Sequence, residues 1–523
     1  MFETIKAKVL KNLDFYLFLI IILIVSWAYY PSLFHAPRAD QILYLNCVKN
    51  LDGFKSLVLD TYALNRSCSG DVILFRPILY FLLGWEQWMF GYRFEYWQLT
   101  GIILHLLILL VFFSSLKFQP GFQQKRPEIS WSQFLPFGVT LFFGLQSVSM
   151  EMIVWHHING YLLFTFFLLA GILYLKYFTI NKNYIFLGIS FVLILLATFT
   201  YELGNVAALL IAGYLLILNI SKPVNKLSFL NSLLFFLIPV IYIGLSLFDL
   251  HHRGYTNIPL PQVESSSDIL QQDLSGFWFT TLIYYIVIYT IAWFMGGIIP
   301  NLYELRAGGR ISFDIPLNFV PTFSSQSIVL IAIIICSIVA FLATRKINLY
   351  KLKQESLYLV FLLLLNLSYT GIIVYGRALK RGAHHIFVSN SYYSYISNIL
   401  LLLFLYQFII LCTQSQHLQK IFKQFWNFYL IFVLSFLSIL NGFHVYDINM
   451  QMVEFSRSSL VLFNRTLKTV QEHSQEPDFS FKAAEEEEEC ETNLVEVVFT
   501  EFYDRENAKY VISCKEKAPS PFP

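Results

Sequence analysis

The chain has 523 residues, of which 56% are hydrophobic and 13% are charged, and its formal net charge is +2. Charged residues make up about 25% of a typical soluble domain, so this composition excludes an ordinary soluble protein, and the near-neutral charge does not indicate a nucleic-acid partner. Apolar runs of about 17–25 residues recur along the chain, each long enough to cross a hydrocarbon core of roughly 30 Å. They predict a polytopic helical membrane protein rather than a barrel, which would show short alternating segments.

The first apolar run follows Lys6, Lys8 and Lys11. It is too long for a typical signal peptide and lacks a clear cleavage site, so we expect an uncleaved helix with a cytoplasmic N-terminus. Eleven spanning helices are predicted near 13–33, 97–116, 131–150, 161–178, 184–201, 204–220, 228–248, 327–344, 357–376, 394–413 and 426–444. With this count, all five predicted cytoplasmic loops are basic, as the positive-inside rule requires.

The apolar run at 277–300 is interpreted as a re-entrant or interfacial element on the outer face. An additional crossing there would move the basic segment RKINLYKLK to the outside, which the positive-inside rule disfavours. A twelfth crossing is the alternative. The predicted outer face then holds the loop 34–96, the segment 249–326, the turn 377–393 and the C-terminal tail.

We divide the chain into a transmembrane domain, 1–445, and an extracytoplasmic tail, 446–523. Helical spacing of apolar residues predicts an amphipathic helix over 448–473, the run AAEEEEECE is typical of a solvated linker, and NLVEVVFTEFY and AKYVISC are predicted strands. Two cysteine pairs fall on the predicted outer face, Cys47 with Cys68 and Cys490 with Cys514. Two disulfides and six free thiols both stay open.

Carboxylates follow three predicted helices at the outer face: Asp40 in LFHAPRADQILYL after the first, Glu151 after the third and Glu202 after the fifth. The predicted helices themselves contain almost no charge, whereas proton-driven transporters and channels usually carry ionisable groups at mid-membrane. This pattern favours chemistry at the membrane surface on a substrate whose lipid tail stays in the bilayer.

Four phrases resemble the GT-C superfamily of membrane glycosyltransferases, in particular bacterial relatives of the transmembrane-and-TPR O-mannosyltransferases. The first phrase runs from ILFRPILYF to GIILHLL. Arg76 and Pro77 match an R-P pair of the family, Gly91 matches a glycine, and His105 matches a histidine in the following helix. The second, LQSVSMEMIVW, matches at Glu151 and Trp155, but Gln146 and Ser147 replace the His-Pro of the family. The third, TFTYELGN, matches at Glu202, with Tyr201 replacing a lysine. The fourth, VSNSYYSYISN, matches through Tyr392, Tyr393 and Tyr395 and lacks the arginine of the family.

The resemblance implies a GT-C-like all-α bundle that transfers a sugar, with inversion, from a polyprenyl-phosphate donor to a protein, lipid or glycan acceptor on the outer face of the cytoplasmic membrane. Asp40 is then expected to take the acceptor proton, with Glu151 and Glu202 as the other catalytic candidates. The donor and its phosphate are expected to contact a mainly basic set: Arg76, His105, Arg377, Lys380, Arg381, His384 and Tyr393.

No cofactor is expected. Glu151 with His156 and His157 suggests a divalent metal, but adjacent histidines on a turn diverge, so a metal is not favoured.

Two other functions stay open. A transporter or flippase for a lipid-linked sugar would show inverted repeats and broken helices near the midplane, and the sequence reveals neither. A non-catalytic assembly protein on the same scaffold is compatible with the replacements at Gln146, Ser147 and Tyr201.

Overall fold

A computed structural model describes residues 13–35, 75–118, 134–146, 149–154, 158–220, 226–252, 349–373, 391–413 and 425–472, the three residues 286, 290 and 294, and six short strands. The described part is almost entirely helical. Its α-helices are α1 Leu13–Tyr29, α2 Pro77–Phe90, α3 Phe94–Lys117, α4 Leu135–Gly144, α5 Ser149–Val154, α6 Asn159–Asn181, α7 Tyr184–Thr200, α8 Leu203–Ile220, α9 Lys226–His252, α10 Leu349–Ile373, α11 Ser391–Thr413 and α12 Phe425–Glu472. A 3-10 helix, Tyr30–Phe34, follows α1 directly.

The strands are only two or three residues long: β1 Glu304–Leu305, β2 Ile311–Ser312, β3 Ser480–Lys482, β4 Glu489–Cys490, β5 Lys509–Val511 and β6 Lys515–Glu516. β1 pairs with β2 antiparallel, and β3 with β5 and β4 with β6 pair parallel. β5 lies within the predicted strand AKYVISC, whereas NLVEVVFTEFY lies outside the described residues.

Seven of the described helices are long and apolar enough to cross a membrane: Leu13–Phe34, Phe94–Lys117, Asn159–Asn181, Leu230–Asp249, Glu355–Ile373, Tyr393–Leu411 and Tyr429–Val453. Three shorter apolar helices are Leu135–Gly144, Tyr184–Thr200 and Leu203–Leu218. The chain is therefore a multi-pass, helical membrane protein, as predicted. Ten of the eleven predicted spans overlap described helices, and the eleventh, 327–344, lies outside the described residues. The count of eleven crossings stays a prediction.

Three helix boundaries differ from the expectation. The predicted outer loop 34–96 contains α2, which begins at Pro77, where proline fits the first helical turn, and ends before Gly91 with φ +54°. The predicted helix 131–150 is interrupted between Gly144 and Ser149. α12 is one helix of 48 residues, so the proposed domain boundary at 445 lies inside it.

Of the run 277–300, the structure describes three helical residues spaced four apart, Ile286, Thr290 and Phe294. The Thr290 hydroxyl lies 3.3 Å from that of Thr370 on α10. The re-entrant interpretation stays a prediction.

Polar contacts tie helix ends together at one end of the bundle. Asp14 at the start of α1 pairs with Lys117 at the end of α3. At the end of α6, Lys176 lies 3.5 Å from Gln407 of α11, whose amide donates to Glu355 of α10 at 2.6 Å. Which membrane face this end occupies stays a prediction.

The core is one continuous cluster of apolar side chains that includes residues from α1 to α12. α9 and α12 are the least covered of the seven long helices, because only 28% of each apolar stretch is buried against protein. Such exposed apolar faces are expected to contact the lipid of a membrane.

Candidate functional site

An ion pair between Arg76 and Glu202 joins two segments that lie far apart in sequence. The Arg76 Nε and Nη2 atoms donate to the two carboxylate oxygens of Glu202 at 2.9 and 2.7 Å. This is the bidentate geometry in which a guanidinium binds a carboxylate most strongly and with a fixed orientation. Both residues were predicted site residues, and the structure brings them together.

Local backbone features place each partner. Arg76 precedes Pro77, which disfavours the helical region, and its φ and ψ are −129° and 59°, so it lies outside α2. Glu202 lies in the two-residue break between α7 and α8, after Tyr201 with an extended backbone. The Asn205 N–H donates to the Glu202 carbonyl at 3.1 Å, which anchors the break to the first turn of α8.

The arginine is more buried than its partner. The Arg76 side chain is 15% exposed, whereas that of Glu202 is 40% exposed. Burial lowers the pKa of the Arg76 guanidinium, but the charge of Glu202 and the neighbouring tyrosines outweigh burial and hold the pKa well above its ordinary value. The Arg76 guanidinium is therefore charged at physiological pH, and Glu202 is the more exposed partner of the pair.

Tyrosines surround the pair. The guanidinium carbon of Arg76 lies 4.3 Å from the ring centroid of Tyr201, a cation–π contact. Tyr161 stacks on Tyr201 with centroids 4.1 Å apart, and the ring of Tyr393 meets Tyr161 edge-on at 6.2 Å. The Tyr369 hydroxyl donates to the Tyr393 carbonyl at 3.0 Å. Arg76, Glu202 and Tyr393 thus belong to one series of contacts, and we call Arg76, Glu202 and these four tyrosines the Arg76 site.

An apolar crevice adjoins this site between α6, α8, α10 and α11. It is small, with room for about one water molecule between the surrounding side chains. Leu203, the residue after Glu202, and Tyr369 belong to its lining, which continues with Phe164, Leu168, Val206, Ala207, Leu365, Ile372, Ile396 and Leu400. The Arg76–Glu202 ion pair therefore lies next to the apolar crevice.

His105 lies within the bundle, where both of its ring nitrogens are engaged. Its Nε2 lies 3.0 Å from the Gly144 carbonyl and its Nδ1 lies 2.7 Å from the Tyr395 hydroxyl. A carbonyl only accepts, so Nε2 carries the proton and Nδ1 accepts from Tyr395. His105 thus connects α3 with α4 and α11, which is a structural role; donor binding by His105 stays a prediction.

Five predicted site residues lie outside the described part of the chain: Asp40, Arg377, Lys380, Arg381 and His384. Glu151 lies on α5, but its side chain is outside the described part, as are His156, His157 and three of the four paired cysteines, Cys47, Cys68 and Cys514. Among the described residues, no group of three His, Cys, Asp or Glu side chains comes together.

Sequence reasoning did not single out Tyr161, Tyr369 or Glu86. Each lies in an apolar segment, and only packing against other helices gives it polar neighbours. The adjacent Tyr201 and Glu202 were noted, but Tyr201 was interpreted as a replaced lysine. In the fold, it provides the aromatic face beneath Arg76 instead.

The chain matches no family model, no curated protein and no solved structure.

Proposed function

We propose that the chain is a GT-C-type membrane glycosyltransferase that transfers a sugar, with inversion, from a polyprenyl-phosphate donor to a protein, lipid or glycan acceptor. The proposal assigns the Arg76 site to the extracytoplasmic face of the cytoplasmic membrane, and it requires no cofactor. One observation carries it: Arg76 and Glu202, which come from separate phrases of the family resemblance, pair beside an apolar crevice, and a row of aromatic contacts through Tyr201 and Tyr161 links them to Tyr393.

The charge distribution supports binding of a lipid phosphate at this place. Among the described contacts, Glu202 engages two of the five guanidinium N–H groups of Arg76. The other N–H groups suit a phosphate oxygen whose charge develops as the sugar leaves. The lining of the adjoining crevice is apolar apart from Tyr369, which is compatible with contact to the hydrocarbon chain of the same donor, although the crevice itself is too small to hold that chain.

The chemistry follows from these assignments. The acceptor hydroxyl attacks the anomeric carbon, its proton passes to the carboxylate of Asp40, and the polyprenyl phosphate leaves with the bond electrons. Glu202 holds Arg76 in position and presents a half-open carboxylate to the sugar or acceptor. Arg377, Lys380, Arg381 and His384 are assigned to the phosphate, and Glu151 is a second candidate base.

The test compares glycolipids and glycoproteins by mass spectrometry in cells that carry the wild type, a deletion, Asp40→Asn, Glu202→Gln or Glu95→Gln at matched expression. Glu95→Gln is the control, because Glu95 is exposed in the first turn of α3. We expect the deletion, Asp40→Asn and Glu202→Gln to remove the same sugar-sized mass increment, and Glu95→Gln to keep it.

Two results would replace the proposal. If no increment depends on the gene, the chain is not a transferase. If the increment needs the chain but survives both Asp40→Asn and Glu202→Gln, then a flippase or a non-catalytic assembly protein on this scaffold explains the result better.

A further inference from the structure

A second polar cluster lies where α2, α3 and α6 pack together. Glu86 on α2, Gln98 on α3 and Asn159 in the first turn of α6 are fully buried. Both carboxyl oxygens of Glu86, both side-chain polar atoms of Asn159 and Oε1 of Gln98 lack a hydrogen bond of normal geometry in the described structure, although Asn159 and Thr100 lie near enough to Glu86 to affect its carboxyl group. Native proteins leave few buried polar atoms unpaired, so such a concentration indicates a missing ligand.

The unpaired atoms are mostly oxygens. With Glu86 ionised, its two oxygens, Gln98 Oε1 and Asn159 Oδ1 are four unpaired acceptor atoms, whereas the one unpaired donor atom, Asn159 Nδ2, supplies two N–H groups. More hydrogen bonds among these groups cannot satisfy this surplus, because the donors are too few. A cation satisfies several acceptor oxygens at once.

A close helix contact brings another oxygen to the same place. A Cβ atom on Gly101 would lie 2.7 Å from the Ile153 carbonyl oxygen and 3.3 Å from Asn159 Oδ1. Glycine therefore allows α3 to approach the end of α5, where the Gln98 amide also donates to the Val154 carbonyl at 3.2 Å. Carbonyls in the last turn of a helix lack partners within the helix, and such carbonyls bind sodium in membrane transporters.

Charge balance selects the valence of the ion. Burial raises the pKa of the Glu86 carboxyl well above its ordinary value, and the neighbouring Asn159 and Thr100 lower it only in part. An uncompensated carboxylate at this depth is costly, so Glu86 takes up either a proton or a cation of charge +1. A divalent ion would leave an excess positive charge, because no other carboxylate joins the cluster in the described structure.

We propose that Glu86, Asn159, Gln98 and the Ile153 carbonyl form a binding site for one monovalent alkali cation, for which sodium is the probe. The ion joins α2 to α3, α5 and α6, and α2 begins at the residue after Arg76. The site is thus a stabilising element of the bundle, and it does not depend on the proposed transferase function.

The test uses the purified full-length protein in detergent and follows its Tm by intrinsic tryptophan fluorescence. Sodium chloride replaces choline chloride at constant ionic strength, so that only the identity of the cation changes. We expect Tm to rise by about 1–2 °C for each tenfold increase in sodium above its Kd. Glu86→Gln removes this response, and the control Glu95→Gln keeps it.

Two outcomes would overturn the site: a Tm that is the same in sodium and in choline, or a sodium response that persists in Glu86→Gln. If Glu86→Gln does not fold, Asn159→Ala tests the site instead, because this variant keeps the carboxylate and removes one proposed ligand of the ion. We expect it to raise the half-saturating sodium concentration at least about tenfold, and an unchanged value would contradict the proposal.

Discussion

Removing either partner of the Arg76–Glu202 pair has unequal consequences, because the two side chains differ in exposure. Glu202→Ala leaves the guanidinium of Arg76 without its two hydrogen bonds in a place where the arginine is only 15% exposed. Arg76→Met leaves instead a carboxylate that is 40% exposed and that water can solvate. We therefore expect Glu202→Ala to cost more stability than Arg76→Met.

The magnitudes lie between those of fully buried and fully exposed pairs. Breaking a buried ion pair costs about 3–5 kcal/mol, and an exposed pair is worth about 1 kcal/mol or less. Because Glu202 is partly solvated, Glu202→Ala should cost about 2 kcal/mol. Arg76→Met should cost about 1 kcal/mol, mostly from the lost cation–π contact with Tyr201.

The assay is thermal unfolding of the two single variants and the double variant in one detergent, evaluated as a double-mutant cycle. The double variant should be about as stable as Arg76→Met alone, because no unpaired arginine remains. If Arg76→Met is the more damaging change, or if the two costs add, the burial argument is wrong.

Three further predictions use matched controls from the same helices or cluster. Gly204→Ala should destabilise the protein by about 2 kcal/mol in the same thermal assay, because the added methyl group would lie 2.5 Å from backbone atoms of α7. The control is Gly213→Ala, which should be neutral or stabilising because no atom lies within 4 Å of the added methyl group. Tyr395→Phe should lower the free energy of unfolding by about 1–3 kcal/mol, because it leaves Nδ1 of the buried His105 unpaired. The control Tyr406→Phe should leave that free energy unchanged, because the buried Tyr406 hydroxyl has no partner among the described residues. Without alkali cations, the folded protein keeps a proton on Glu86 that the unfolded chain loses above about pH 4.3. The free energy of unfolding of the wild type should therefore fall as the pH rises, by up to about 1.4 kcal/mol per pH unit. Glu86→Gln should lack that fall in pH-dependent unfolding, and an identical slope in both proteins would refute the assignment.

Local sequence was sufficient for the membrane class and for most helix positions. A run of about 20 apolar residues spans a bilayer whatever its neighbours are, so α3, α6 and α11 follow from the sequence alone. The individual site residues Arg76, Glu202 and Tyr393 were also predicted, because each belongs to a phrase that resembles a known family.

The pattern of apolar runs did not reveal helix α2. At 14 residues it is too short to span, and it lies among polar segments that were interpreted as one outer loop. Leu79, Leu83 and Glu86 form one buried stripe at helical spacing, but the stripe includes a carboxylate. The core position of Glu86 is therefore evident only when α3 and α6 cover it.

Only the tertiary structure decided which residues meet. Arg76 and Glu202 are 126 positions apart, and His105 and Tyr395 are 290 positions apart. No local periodicity encodes such pairs, because each pair depends on how whole helices pack in three dimensions. The sequence determined that the chain lies in a membrane and which residues are available for chemistry. Helix packing determined the partners and the burial of those residues, and therefore their charge.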